Sequence, residues 1–146
     1  MEYTLQQVQD SEYPDLIRIW ESSVKATHHF LEEKDFIAIK QALEESCFFH
    51  ITIWCAKNEN GIITGFAGIS GEKLEMLFVD AAMRGKGVGE KLLLFAINDL
   101  GVHLVDVNEQ NEQAIGFYKK YGFKVIRRNE TDGEGRPYPI LEMSLS

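Results

Sequence analysis

Apolar residues recur along this chain in two rhythms, one helical and one alternating. Leu16, Ile17, Trp20 and Val24 fall at helical spacing behind Asp10-Ser11, so a helix is expected there, with that polar pair offering its N-cap. Thr27-His28-His29-Phe30-Leu31 interrupts the pattern. A second helix is expected from Lys34 to Ser46, with Phe36, Ile39 and Leu43 on one face. Before and after these helices come strand-like runs: Tyr3 to Val8 ahead of them, then His50 to Lys57, Ile62 to Ser70 and Leu74 to Asp80. Asn58-Glu59-Asn60-Gly61 predicts a hairpin turn, because Asn-Gly readily takes positive φ, and Gly71-Glu72 predicts another.

The second half of the chain alternates in type. A leucine-rich helix should run to about Leu100, followed by a strand over Val102 to Val107 and a helix over Asn111 to Tyr121. Gly122 suits the C′ position of that last helix. Phe123 to Arg128 and Tyr138 to Leu145 should close a final hairpin around Asp132-Gly133-Glu134-Gly135. Pro139 belongs at the start of its strand or on an edge. The order is β-α-α-β-β-β-α-β-α-β-β. The hairpins make most neighbouring strands antiparallel, and the strand-helix-strand unit over 74–107 should be a right-handed parallel crossover. A mixed α/β sheet with helices on both faces is therefore expected.

A chain of 146 residues suits one domain spanning 1–146, and no repeat or linker divides it. The net charge of −8 opposes nucleic acid as a partner, since that binding rests on a basic face. It is compatible with a cationic partner such as an amine, and it also simply favours solubility. No apolar run approaches a membrane span, and "MEYTLQQVQDSEYPD" lacks the basic start and apolar core of a secretory signal, so a cytoplasmic protein is expected. Cys47 and Cys55 read as buried free thiols. The four histidines (His28, His29, His50 and His103) form no metal-ligand spacing, and no metal is expected.

"MRGKGVGEKLL", residues 83–93, joins the strand ending near Asp80 to the leucine-rich helix. A helix N-terminus carries free N–H groups and a partial positive charge. Glycines before it let the backbone curl so that these groups converge on one anion, and they remove the Cβ atoms that would block a phosphate. Arg84, Lys86 and Lys91 can add positive charge. The loop reads as a pyrophosphate cradle. A plain strand-to-helix turn is one competitor. A dinucleotide fold, with Asp106 as its ribose acid, is another, although its fingerprint needs glycine where Glu90 stands.

A second motif, "VNEQNEQAIGFYKKYGF" over 107–123, changes the picture. Together the two motifs resemble the GNAT superfamily of acetyl-CoA-dependent N-acetyltransferases. That family's loop reads Gln/Arg-x-x-Gly-x-Gly/Ala, which Arg84-Gly85-Lys86-Gly87-Val88-Gly89 fills. Its later helix reads Asn-x-x-Ala-x-x-Phe-Tyr-x-x-x-Gly-Phe, which Asn111, Ala114, Phe117, Tyr118, Gly122 and Phe123 match at full spacing. The element order resembles the GNAT fold from end to end.

The resemblance implies acetyl-CoA as co-substrate and a primary amine as acceptor, joined by direct attack in a ternary complex. It implies that residues 84–89 hold the pyrophosphate and that the backbone of Phe78 and Val79 pairs with the pantetheine arm, in a slot opened by a bulge there. It implies that Asn111 contacts the cofactor and that Tyr118 is the general acid for the leaving thiolate. Asn108 is either a further contact or a strand-end cap. The general base is open between Glu75, His28 (preferred to His29) and a water relay. By strict alternation Glu75 shares a face with Leu77 and Val79, opposite Leu74, Met76 and Phe78. Trp20, Phe30 and Tyr138 form either an acceptor wall or core, and Glu32, Glu33, Glu44 and Glu45 either attract a cation or face solvent. A non-catalytic acyl-CoA sensor is the alternative function. The acceptor and the choice between monomer and homodimer are not fixed by these residues.

Overall fold

A computed structural model describes residues 2–47 and 51–145, with the backbone alone for 46 and 47. Strands are β1 (Thr4–Gln7), β2 (Thr52–Lys57), β3 (Ile63–Ser70), β4 (Lys73–Val79), β5 (Leu104–Asn108), β6 (Phe123–Asn129) and β7 (Ile140–Leu145). Helices are α1 (Tyr13–Thr27), α2 (Glu33–Ala42), α3 (Val88–Leu100) and α4 (Glu112–Lys120). A π-helical turn, Leu43–Cys47, extends α2. The expected element order is present throughout. His50, proposed as the start of β2, lies outside the described residues, as does the side chain of Cys47. Cys55 is buried, and burial pushes its thiol pKa up.

The seven strands lie in the order β1-β2-β3-β4-β5-β7-β6. Every pairing is antiparallel except β4 with β5. Two cores sit on opposite faces of this sheet. One joins Leu16, Ile19, Trp20 and Val24 of α1 to Ile53, Cys55, Ile63 and Phe66. The other joins Val88, Leu92, Leu93 and Ala96 of α3 to Ala67, Ile69, Leu74, Val105 and Tyr118. Buried on both faces, β3 is almost wholly apolar, as a central strand must be.

Three local expectations change. Asp10 and Ser11 do not cap α1; they lie in a 3-10 turn whose Glu12 carboxylate accepts from the Gln9 N–H at 3.0 Å and pairs with Lys57 at 2.7 Å. At the β2–β3 turn only Gly61 takes positive φ. Asn58 Oδ1 accepts from the N–H groups of Asn60 and Ile62 instead, making a longer loop than a two-residue hairpin. Strict alternation also fails in β4. Gly68 pairs with Met76 and Ile69 with Leu74, so Glu75 is an extra, bulged residue. Leu74 therefore shares a core with Leu77 and Val79, while Met76 and Phe78 face the other.

Candidate active site

The parallel pair is very short. Only Lys73–Leu104 and Leu74–Val105 are in register. Beyond them comes the Glu75 bulge, and β4 and β5 separate. A bulge bends its strand and raises its twist, which gives a physical cause for the separation. An ion pair between Lys73 and Asp106, 2.7 Å apart, clasps the closed end. The bulge was expected at Phe78 and Val79; it falls earlier, where it acts on the whole open length of β4.

A cleft of about 450 Å³ occupies the gap. It is bounded by β4 from Leu74 to Val79, by β5 from Val105 to Asn108, by the glycine loop and by one side of α4. Of the expected site residues, His28, Glu75, Phe78, Val79, Arg84, Gly85, Gly87, Val88, Gly89, Asn111 and Tyr118 all line it. Lys86 is not among the lining residues. Its carbonyl accepts from the Tyr3 hydroxyl at 3.3 Å. Lys91 does not serve the loop either, since its ammonium donates to the Tyr3 carbonyl. Tyr3, just ahead of β1, thus braces the loop from behind.

The loop has the shape of a cradle. Gly85 and Gly87 sit at φ +76° and +85°, and a Cβ on either would meet no atom within 4 Å. Their conformation demands glycine, and the space before them is open. Gly87 is the N-cap of α3, so the N–H groups of Val88, Gly89 and Glu90 lack intrahelical partners. The loop is anchored by Asp80, which ends β4. Its carboxylate accepts from Ala82 N, from Arg18 at 3.1 Å and from the Ser22 hydroxyl at 3.2 Å, tying the loop to α1. Gly65 of β3 completes the support: a Cβ there would lie 2.8 Å from Val88 Cγ1 and 3.0 Å from the Phe78 carbonyl. Only glycine lets α3 start so close to the sheet. Arg84 donates to the Gln113 amide and links the loop to α4. A pyrophosphate fits this arrangement of open space, N–H groups and one adjacent guanidinium.

α4 supplies the other wall. Asn111 caps it, its Oδ1 accepting from Ala114 N at 3.2 Å, which leaves the amide N–H₂ for the cleft. Asn108 likewise caps a turn, accepting from Gln110 N at 2.9 Å, while lining the same space. Tyr118 is buried, with Phe117 and Phe123 edge-on to its ring. Burial pushes its pKa well above the usual tyrosine value, so the hydroxyl stays protonated at neutral pH.

His28 reaches the cleft from the end of α1. Its ring is half-buried, and burial, then neighbouring His29, holds its pKa below the usual histidine value. Glu75 lines the same cleft and is exposed. Trp20, Phe30 and Tyr138 are not among the lining residues. Trp20 stacks on Phe36 in the core, 5.1 Å between centroids. The Tyr138 hydroxyl bonds the Asp35 carboxylate and accepts from Glu32 N, so it latches the β6–β7 loop to the start of α2. Ser23 and Thr27, which no motif marks in the sequence, also line the cleft. Their one signal was position: they stand one helical turn apart near the end of α1, and Thr27 immediately precedes His28.

The family profile described as "Acetyltransferase (GNAT) domain" matches residues 50–125. Over 144 residues the chain is 40% identical to "Peptidyl-lysine N-acetyltransferase YjaB" of Escherichia coli strain K12, covering 99% of this chain and 97% of that one. It is 43% identical to the protein of the same name from Salmonella typhimurium strain LT2, covering 88% of each. The solution structure of apo-form YjaB from Escherichia coli superposes with a TM-score of 0.88 at 38% identity, over 99% of this chain and 98% of that one. The chain belongs to the GNAT acetyltransferase family. It is an acetyl-CoA-dependent N-acetyltransferase, which displaces both the dinucleotide reading and the sensor. Asp106, the ribose acid of the dinucleotide reading, is committed to Lys73.

Proposed function

We propose that this protein acetylates lysine ε-amines in peptide or protein acceptors by direct attack on acetyl-CoA in a ternary complex, in the cytoplasm. The observation that carries the proposal is the parting of β4 from β5 beyond Leu74 and Val105. It puts one continuous cleft between the phosphate loop, Tyr118 and His28. The lysine acceptor is suggested by the name of the Escherichia coli relative, and a net charge of −8 suits a cationic acceptor.

In this reading residues 84–89 hold the pyrophosphate, and the unpaired edge of β4 at Phe78 and Val79 holds the pantetheine arm. N–H groups on that edge polarise the thioester carbonyl. His28 takes one proton from the lysine ammonium, exposing the lone pair that attacks the carbonyl carbon. A C–N bond forms, and the C–S bond breaks as the tetrahedral intermediate collapses. Tyr118 protonates the leaving thiolate. Of the two protons the ammonium loses, one leaves through His28 to solvent and the other restores the Tyr118 hydroxyl. Glu75, at the bulge, is placed to attract the ammonium or to hold a relaying water.

The test is mass spectrometry of a lysine peptide with a blocked α-amine, incubated with enzyme and acetyl-CoA. One acetyl group on the ε-nitrogen, with one CoA released per acetyl, is expected. Transfer only to peptide α-amines or small amines would overturn the lysine assignment.

A further inference from the structure

Thr27 ends α1, and its hydroxyl lies between two partners. Its Oγ1 is 2.8 Å from the Ser23 carbonyl one turn back and 2.7 Å from His28 Nδ1. A threonine hydroxyl has one hydrogen, and a carbonyl can only accept. Were that hydrogen directed at Nδ1, two oxygens would face each other at 2.8 Å with nothing between them, which is repulsive. The hydrogen therefore goes to Ser23, in the back-bonding habit of helical threonines, and Oγ1 is left as an acceptor.

We propose that Thr27 is a positioning residue that fixes the His28 tautomer, holding hydrogen on Nδ1 and leaving the Nε2 lone pair to accept the proton of the acceptor ammonium. The inference rests on the reading of His28 as base. The backbone around it is anchored on both sides, His28 N donating to the Val24 carbonyl at 2.8 Å and Leu31 N to the His28 carbonyl at 3.1 Å. The Phe30 ring lies 5.2 Å from the imidazole. With Nδ1 engaged, Nε2 is the nitrogen left for the cleft that His28 lines. Burial and then His29 disfavour the charged ring, which favours the neutral form a base needs. The other charged or titratable groups bordering the cleft are Glu75 of β4, Arg84 of the loop, Glu90 of α3, Asp106 of β5, Tyr118 and Lys120 of α4, and Tyr121 just after it. In the transfer, the ammonium N–H bond breaks, Nε2–H forms, and the imidazolium keeps its Nδ1–H bonded to Thr27. A valine at 27 has the shape but no acceptor, so nothing then favours the Nδ1–H form.

The primary experiment is a long-range ¹H–¹⁵N correlation spectrum of the full-length protein labelled at histidine, with His28→Gln identifying the signal. The Nδ1–H tautomer is expected in the unaltered protein and in Thr27→Ser, and loss of its dominance in Thr27→Val. An Nε2–H tautomer in the unaltered protein would overturn the proposal, whether or not the valine variant folds. Kinetics separate the two levels of the reading. Thr27→Val should lower kcat/KM for a lysine peptide by at least roughly tenfold, since a triad histidine held in the wrong tautomer loses far more. The KM for acetyl-CoA should not change, and Thr27→Ser should restore most of the rate. If Thr27→Val turns over normally while His28→Gln is inactive, the tautomer inference fails and the base stands. Normal turnover and an unchanged pH profile in His28→Gln would remove the base itself, and the inference with it.

Discussion

At the scale of single residues, the proposed mechanism has Tyr118 and His28 carry protons in opposite directions, and their surroundings set them apart. Tyr118 is buried among aromatic rings, which disfavours phenolate and keeps an acid ready for the thiolate. Tyr118→Phe should lower kcat by about a hundredfold, at the low end of what a positioned acid contributes, and leave the KM for acetyl-CoA nearly unchanged. A large rise in that KM with normal kcat would contradict the role. His28, as the proposed base, would work in the other sense. A base acts when neutral, so kcat/KM should rise with pH through the His28 pKa and then level. Because burial and then His29 hold that pKa below the ordinary value of about 6.5, the limb should be centred on the acid side of that value. A pH profile of the unaltered protein against His28→Gln checks this: the acid limb belongs to the first and is missing from the second. A limb centred above pH 7 would contradict it. The place of Tyr118 in the cleft was legible in the sequence because a spaced motif surrounds it. Thr27 was not, because what singles it out is its two hydrogen-bond partners and not its spacing.

At the scale of elements, the glycine loop was readable and its supports were not. Alternate glycines before a leucine-rich helix announce a curled backbone, whereas Gly65 stands in an ordinary apolar strand and matters only because Val88 lands on it. The Glu75 bulge was equally hidden. No glycine or proline marks it, and the run Leu74-Glu75-Met76-Leu77-Phe78-Val79 fits an unbroken strand about as well. Two substitutions test the supports. Gly65→Ala should cost about 1–3 kcal/mol through overpacking against Val88 and the Phe78 carbonyl, lowering Tm and weakening acetyl-CoA binding together. An unchanged Tm would show that α3 can move away freely. Gly87→Ala forces a side chain into the left-handed region at about 1–2 kcal/mol. Gly71→Ala, in the turn between β3 and β4, meets the same kind of strain at φ +60°. Calorimetric titration should find weaker acetyl-CoA binding in the first and not in the second. Equal affinities would mean that the loop conformation does not hold the phosphate.

At the scale of the whole molecule, the sheet separates a face packed by α1 and α2 from a face packed by α3, and the cleft opens where the single parallel pair fails. The element order and the mixed sheet were legible because each element declares itself locally, by period and by turn residues. What joins distant parts was not. Tyr138 and Asp35 meet across 103 positions of sequence, and neither carries a local sign of the other. Tyr138 was therefore open to being read as part of an acceptor wall when it is a latch. Among the described residues no helix is long and apolar enough to cross a membrane, and no group of three or more His, Cys, Asp or Glu side chains is placed to hold a metal ion.

The claim on which the rest depends is that the cleft between β4 and β5 receives acetyl-CoA. Thermal unfolding of the unaltered protein, with acetyl-CoA at about a hundred times its Kd and with NADH as control, tests it most directly. Binding at that level adds roughly 2.7 kcal/mol, which should raise the midpoint by several degrees. The midpoint should rise with acetyl-CoA and stay unchanged with NADH. A rise with NADH alone, or none with either, would contradict it.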